Sequence, residues 1–409
     1  MTFNRRQLLA GSTAAAGLMA LPQFGFASEP GQPTLVHVFL RGGMDAMMLA
    51  APVDSAVYRS ARPGFLRVDD GKRLDASASA DFRMSNFAPE LVELSGSKQM
   101  SLVWGVGHGN RTRSHFQSQE IMDLGAATLN QGDNTGWLAR IGRSFPKPER
   151  RLEALPEFSS NDGYFYPIGE RETSLPTVHA SGLLPRSWYG DGSVSGLGDS
   201  PRILLGNDRA VLSDYIYGGP ETKALGLAME RMMIAKVLSD KPITATRGYP
   251  AGEFGLAMAR IADHINADVG LRLASIDFTG WDSHDNQASI GPIELTQLSK
   301  TLGAFWREVS SARNPVVVVV STEFGRRVAI NQTYGTDHGR GSLALVLANG
   351  LKQRFFGNFA QLAPLVNGNG DLPVEIDYRE VLSACVAKAF PTLPISGIFP
   401  GLERSLAMF

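Results

Sequence analysis

Five consecutive valines, residues 316–320, run directly into Ser321-Thr-Glu-Phe-Gly-Arg326. A run of about five β-branched residues has the pattern of a strand buried inside a sheet. Two other apolar runs resemble it. Arg272-Leu-Ala-Ser-Ile-Asp-Phe278 is followed by Gly280-Trp-Asp-Ser-His284, and Gly335-Thr-Asp-His-Gly339 opens onto residues 343–347. Ligands of open α/β sheets bind just beyond the carboxyl ends of the strands. Asp282, His284, Glu323 and His338 are therefore expected to converge, although up to 56 residues separate them. Carboxylates and imidazoles gathered in this way suit a metal ion.

The rest of the chain supports the same class of fold. Residues 34–40 and 100–106 read as two more strands, ending in Arg41-Gly-Gly-Met-Asp45 and in the polar loop Gly107-His-Gly-Asn-Arg-Thr-Arg113. Apolar spacing of three and four predicts helices over 114–124, 222–238, 253–266, 292–311 and 378–390. Buried strands alternating with helices argue for an α/β fold, its sheet mostly parallel and covered on both faces. Residues 145–175 carry scattered prolines and aromatics, and 181–205 are rich in Gly and Ser, so an inserted subdomain or lid is expected around 145–250.

Residues 1–27 are read as a leader. Asn4-Arg-Arg-Gln-Leu-Leu9 has the twin-arginine pattern, an apolar stretch too short to span a bilayer follows, and Gly25-Phe-Ala27 is a small-x-small cleavage site. The expected location is periplasmic or secreted, with the twin-arginine translocase as partner during export. That route carries folded proteins, so a metal can be acquired beforehand. The single cysteine, Cys385, permits no internal disulfide and sits in a core-like helical pattern. Removing two arginines and no acids takes the net charge from −1 to −3. There is no basic footprint for nucleic acid or lipid. The mature chain, residues 28–409, is long enough to bury a sizeable core.

Several residues carry possible chemistry. The i, i+2 spacing of Asp282 and His284 puts both on one side of an extended segment, a donor pair for zinc, manganese or iron. Glu323 follows a core strand and needs a partner; Arg326 and Arg327 are near in sequence. Asp337 and His338 add a third acid–imidazole pair. Ser114-His-Phe-Gln117 reads as a capping box, with the serine hydroxyl on the helix amides and the glutamine reaching back. A hydroxyl there also lies in positive potential where an anionic ester can dock, so Ser114 is a candidate nucleophile, with Thr112 and His115 as rivals. The glycines at 105, 107 and 109 lack the full G-x-G-x-x-G dinucleotide pattern. His37, His179 and His264 read as structural.

The leader, Leu40-Arg-Gly-Gly-Met-Asp45, Arg113-Ser-His-Phe116, Gly136-Trp-Leu-Ala-Arg140, Gly280-Trp-Asp-Ser-His284, Thr322-Glu-Phe-Gly-Arg326 and Gly335-Thr-Asp-His-Gly339 together resemble the exported bacterial family called domain of unknown function fifteen-oh-one. That family resembles the alkaline phosphatase and sulfatase superfamily. The resemblance implies a three-layer α/β/α sandwich with a mostly parallel central sheet and a two-metal site at the strand ends. It implies one metal on Asp282, His284 and His338, and another on Asp45, Glu323 and the nucleophile, Ser114 or a neighbour. Phe324 stands where the superfamily has an imidazole, leaving the second site one ligand short. Asp337, Asp277 or His115 are candidates to fill it, or a single metal binds.

The expected function is thus a metal-dependent hydrolase of phosphate or sulfate esters. Its cofactor would be one or two divalent ions (zinc, manganese, calcium or magnesium). Ser114 would attack, with His115 beside it, and Arg41 or Arg113 would clamp the oxygens of a small anionic ester. The alternative is an exported binding or assembly module that keeps the fold without catalysis and engages another exported partner. A redox enzyme is a third reading.

Overall fold

The computed structural model describes residues 33–74, 81–129, 136–144, 177–179, 202–205, 247–268, 271–357 and 370–409. The leader, the helix expected at 222–238 and most of the insertion expected at 145–250 lie outside the described residues. The strands, in chain order, are β1 (Thr34–Leu40), β2 (Ala50–Pro52), β3 (Lys72–Arg73), β4 (Phe82–Met84), β5 (Met100–Gly107), β6 (Thr177–His179), β7 (Arg202–Leu205), β8 (Leu271–Phe278), β9 (Val316–Thr322), β10 (Ser342–Ala348), β11 (Phe355–Phe356) and β12 (Ile376–Asp377). The helices are α1 (Ala46–Leu49), α2 (Ala56–Ala61), α3 (Pro89–Gly96), α4 (His115–Leu124), α5 (Trp137–Ser144), α6 (Glu253–Asn266), α7 (Gln287–Val309), α8 (Tyr378–Ala389) and α9 (Ile395–Ile398).

Among the described residues, nine strands form one sheet in the order β11-β5-β10-β9-β1-β8-β7-β6, with β12 also paired to β5. β1 lies between β8 and β9 and is parallel to both. β7 is antiparallel to β8, and β10 is antiparallel to both β9 and β5. Two strands of nine thus run against the other seven, and the fold is mixed α/β with a mostly parallel sheet. The residues around 202–205 that read as loop form β7 instead, paired to β8 through Arg202–Leu205. Main-chain pairing to an existing strand edge overrides the weak local β signal of a Gly/Ser-rich stretch.

The valine run shows why this sheet needs cover on both faces. Val316, Val318 and Val320 enter one apolar cluster, while Val317 and Val319 enter another. The first cluster is closed by Leu295, Leu298, Leu302 and Phe305 of α7 and by Phe254 and Ile261 of α6. The second is closed by Val381, Leu382, Cys385 and Val386 of α8 and by Ile121 and Met122 of α4. Burial of each such side chain contributes about 1.5–3 kcal/mol. Among the described residues no helix is long and apolar enough to cross a membrane.

Helix α7 begins five residues before the expected start at Pro292, which therefore lies inside it. Tertiary bonds fix this earlier start. The Asn286 and Gln287 amides donate to the Thr333 and Tyr334 carbonyls at 3.1 Å each. The Gln287 side chain donates to Asp45 at 2.5 Å and accepts from Thr336 at 2.7 Å.

Strand direction positions the site. The chain leaves β1, β5, β8 and β9 at one edge of the sheet, and the reversed β10 enters at that same edge. Residues 335–339 precede β10 and so meet the turns that follow β8 and β9. Glycines make the turns close enough. Gly42 (φ 124°) packs on the backbone of Asp282, where an added Cβ would lie 2.3 Å from its amide nitrogen. A Cβ on Gly43 (φ 73°) would lie 2.5 Å from the Phe324 ring. A side chain at either position would force these turns apart.

Candidate metal centre

Three imidazoles and one carboxylate meet at this edge. His338 Nε2 lies 3.0 Å from His115 Nε2 and 2.8 Å from His284 Nε2. The Asp282 carboxylate lies 3.3 Å from His115 Nε2, 3.1 Å from His284 Nε2 and 3.2 Å from His338 Nε2. His115, Asp282 and His338 offer atoms all within 4.8 Å of one another.

The outer nitrogen of each ring is engaged. His338 Nδ1 donates to the Arg113 carbonyl at 2.8 Å, since a carbonyl only accepts. His115 Nδ1 is 2.8 Å from Glu323 Oε1, and His284 Nδ1 is 3.4 Å from Asp337 Oδ1. An acceptor behind Nδ1 fixes the tautomer and turns the Nε2 lone pair inward, the arrangement usual for metal-ligating histidines. Bare lone pairs at 2.8–3.0 Å repel. A proton or a metal cation between them removes the repulsion. Ligand atoms around a tetrahedral ion with bonds of about 2.0–2.1 Å lie roughly 3.4 Å apart, close to the separations here. The donor set therefore fits a divalent ion. Imidazole-rich coordination favours zinc, iron or similar ions over magnesium and calcium, which prefer all-oxygen shells.

Glu323 is fully buried and does not pair with Arg326, its neighbour in sequence. Its Oε1 accepts from the Gly42 amide at 2.9 Å and Gln119 Nε2 at 2.9 Å, besides meeting His115. His115 and Gln119 sit four apart on α4, so one helix face brings both to the same acid. Burial raises the Glu323 carboxyl, but His115 and Gln119 hold it below its ordinary range. Burial likewise lowers His115, yet Asp282 and Glu323 outweigh it and hold the imidazole at about 9. Burial also works against the Asp282 charge, but His115, His338 and Arg326 keep it well below the usual carboxylate range.

Arg326 ties the turns together. Fully buried, it donates to the carbonyls of Gly42, Gly43, Thr336 and Trp281 and to Asp282 Oδ1, the last at 2.5 Å. Phe324 lies under the rings of His115 and His338, 4.8 Å from each. It cannot ligate, and it walls the cluster from the core.

The expected ligand set is thus rearranged. Asp282, His284 and His338 lie together at the strand ends, and His115 lies against Asp282 and His338. Glu323 and Asp337 stand behind imidazoles rather than among the inner donors. Asp45 is drawn away. It caps α1 through Met47 N at 3.0 Å and binds Arg62 at 2.5 and 3.0 Å through its two oxygens. Arg41, largely but not fully buried, pairs with Asp277 at 3.1 Å, and Arg113, partly exposed, pairs with Asp371 at 2.5 Å. Ser114 is the N-cap of α4, but its side chain makes no cap bond. The capping box is absent because Thr112 Oγ1 takes Gln117 at 2.6 Å and accepts the Ser114 amide at 3.2 Å.

Residues 234–366, which carry Asp282, His284, Glu323 and His338, match the family described as "Protein of unknown function (DUF1501)". The match spans about a third of the chain, 133 of 409 residues (366 − 234 + 1). No curated protein matches the chain. No solved structure matches it either.

Proposed function

We propose that this chain is an exported metal-dependent hydrolase of phosphate or sulfate esters, built on a three-layer, alkaline phosphatase-like sandwich. One observation carries the reading: His115, His338 and the Asp282 carboxylate converge, with His284 against His338 and Asp282, and each ring is held from behind by an acceptor. A mostly parallel sheet with apolar clusters on both faces supports the sandwich. The twin-arginine pattern of Asn4 to Leu9 supports export.

His115, Asp282 and His338 would hold the ion, with His284 beside them. When bound, a divalent ion supplies Lewis acidity to an ester oxygen. The chain's own residues do the rest. The Ser114 hydroxyl is uncommitted to capping and stands at the N-terminus of α4. Unpaired amides in that first turn favour an anionic group. Ser114 is the nucleophile in this reading, and the adjacent His115 ties its position to the cluster. Arg113, two-fifths exposed, is the nearest guanidinium in sequence to Ser114 and is free to exchange Asp371 for an ester oxygen.

The test is turnover of aryl phosphates and aryl sulfates by the mature chain reloaded with zinc or manganese. Ser114→Ala is expected to lower kcat by roughly 1000-fold or more with metal content unchanged. Absence of turnover across both ester classes in a metal-replete sample removes the hydrolase reading and leaves a metal-binding exported module.

A further inference from the structure

We infer that the centre holds a single ion, because buried protein donors already saturate Asp45, an acid that a second ion would need. The inference rests on the metal-centre part of the reading above and narrows it.

A second ion, as the resemblance implies it, would draw on Asp45 and Glu323, the two acids that follow the neighbouring strands β1 and β9. Both oxygens of Asp45 are saturated, and so is one oxygen of Glu323. Asp45 Oδ2 takes Arg62 Nη1 at 2.5 Å and Gln287 Nε2 at 2.5 Å. Asp45 Oδ1 takes Arg62 Nη2 at 3.0 Å and the Met47 amide at 3.0 Å. The Arg62 side chain is itself wholly buried and anchored to the Val328 and Arg327 carbonyls at 2.8 and 3.1 Å. It cannot swing aside for an ion without leaving a buried charge unpaired.

Glu323 is committed through one of its oxygens. Its Oε1 meets Gly42 N, His115 Nδ1 and Gln119 Nε2, and its Oε2 lies 3.1 Å from Thr322 Oγ1. The Gly42 amide, Gln119 and the imidazole saturate Oε1, and Arg41 adds positive charge at longer range. Fixed guanidinium charge therefore takes over the electrostatic part of a second metal, with Arg62 on Asp45 as the clearest case. His115, turned inward by Glu323, joins the one remaining set.

The experiment is a metal count. The full mature chain is stripped with chelator, dialysed against Zn2+ or Mn2+, and assayed by elemental analysis. The Mn2+ sample is also read by electron paramagnetic resonance. The expected result is one equivalent per chain and the signal of an isolated ion. Two equivalents, or an exchange-coupled pair, overturn the inference while leaving the hydrolase reading intact. No bound ion overturns both. One ion without ester turnover removes the hydrolase reading and leaves this inference standing. Asp282→Asn, at a half-exposed side chain, is expected to weaken binding by about 100-fold or more. Asp45→Asn is expected to keep one equivalent; a loss of metal there would place Asp45 in the ligand set and sink the inference. If that variant does not fold, the wild-type count still decides.

Discussion

Asp45 and Asp282 follow strands that lie side by side, with Leu40 of β1 in register with Phe278 of β8. Both come after a glycine-containing turn, yet they have become opposite kinds of residue. Asp45 is 2% exposed and locked to a guanidinium, an amide side chain and a helix amide. The Asp282 side chain is about half exposed (47%) and faces three imidazoles. The difference lies in what the following chain delivers. After Asp45 it turns at once into α1 and α2, and α2 is followed by Arg62. After Asp282 it stays extended and accepts His338 from the turn before β10. An acid at a strand end is thus an opportunity whose use is set by distant partners.

The comparison can be broken most directly at Asp45. Asp45→Ala leaves Arg62 buried without its counter-ion, and we expect a loss of about 3–5 kcal/mol in denaturant unfolding of the metal-free chain. Asp282→Ala is expected to cost only about 1–2 kcal/mol in the same assay, because Arg326 keeps four carbonyl acceptors. Equal losses would erase the distinction between the two acids.

His115 gives a pH-dependent version. Its folded pKa of about 9 lies above the ordinary value of 6.5. A raised imidazole stabilises the folded state fully below the unfolded pKa, and that stability is lost as pH rises through the folded pKa. The metal-free chain should therefore lose on the order of 1–3 kcal/mol between about pH 6.5 and 9. His115→Gln should flatten that slope; a variant with the wild-type slope would assign it to another group.

The smaller effects separate the two flanks of the cluster. Glu323 is buried and 2.8 Å from His115, whereas Asp337 is half exposed and 3.4 Å from His284. Glu323→Gln is expected to weaken zinc binding by about 10–100-fold and Asp337→Asn by less than about 10-fold. Competition with a chelating dye measures both, and the reverse order would show that the exposed flank dominates.

Much of this was legible in the sequence where the signal is local. The valine run, the helices at 253–266 and 378–389 and the meeting of Asp282, His284 and His338 follow from burial periodicity and from ligands gathering at strand ends. The parts that escaped depend on partners far apart in the chain. Glu323 has Arg326 three residues away but bonds His115, 208 positions earlier, because Arg326 turns toward Asp282. The i, i+4 pair His115 and Gln119 was the available hint, masked by the capping pattern of Ser114 and Gln117. The Asp45–Arg62 pair is also invisible locally, because no local rule states that Arg62 will be buried beside it.

The reversed direction of β10 has a mechanical consequence. His338 stands just before a strand antiparallel to its neighbours, so sliding β10 along β9 would carry His338 one way while His115, Asp282 and His284 stayed put. Each residue of slip displaces it by roughly 3.4 Å, more than a whole metal–ligand bond. An ion bound across that joint would act as a pin in the sheet, coupling coordination to strand register. Hydrogen exchange of the β9 and β10 amides should then slow on loading, far from any atom the metal touches.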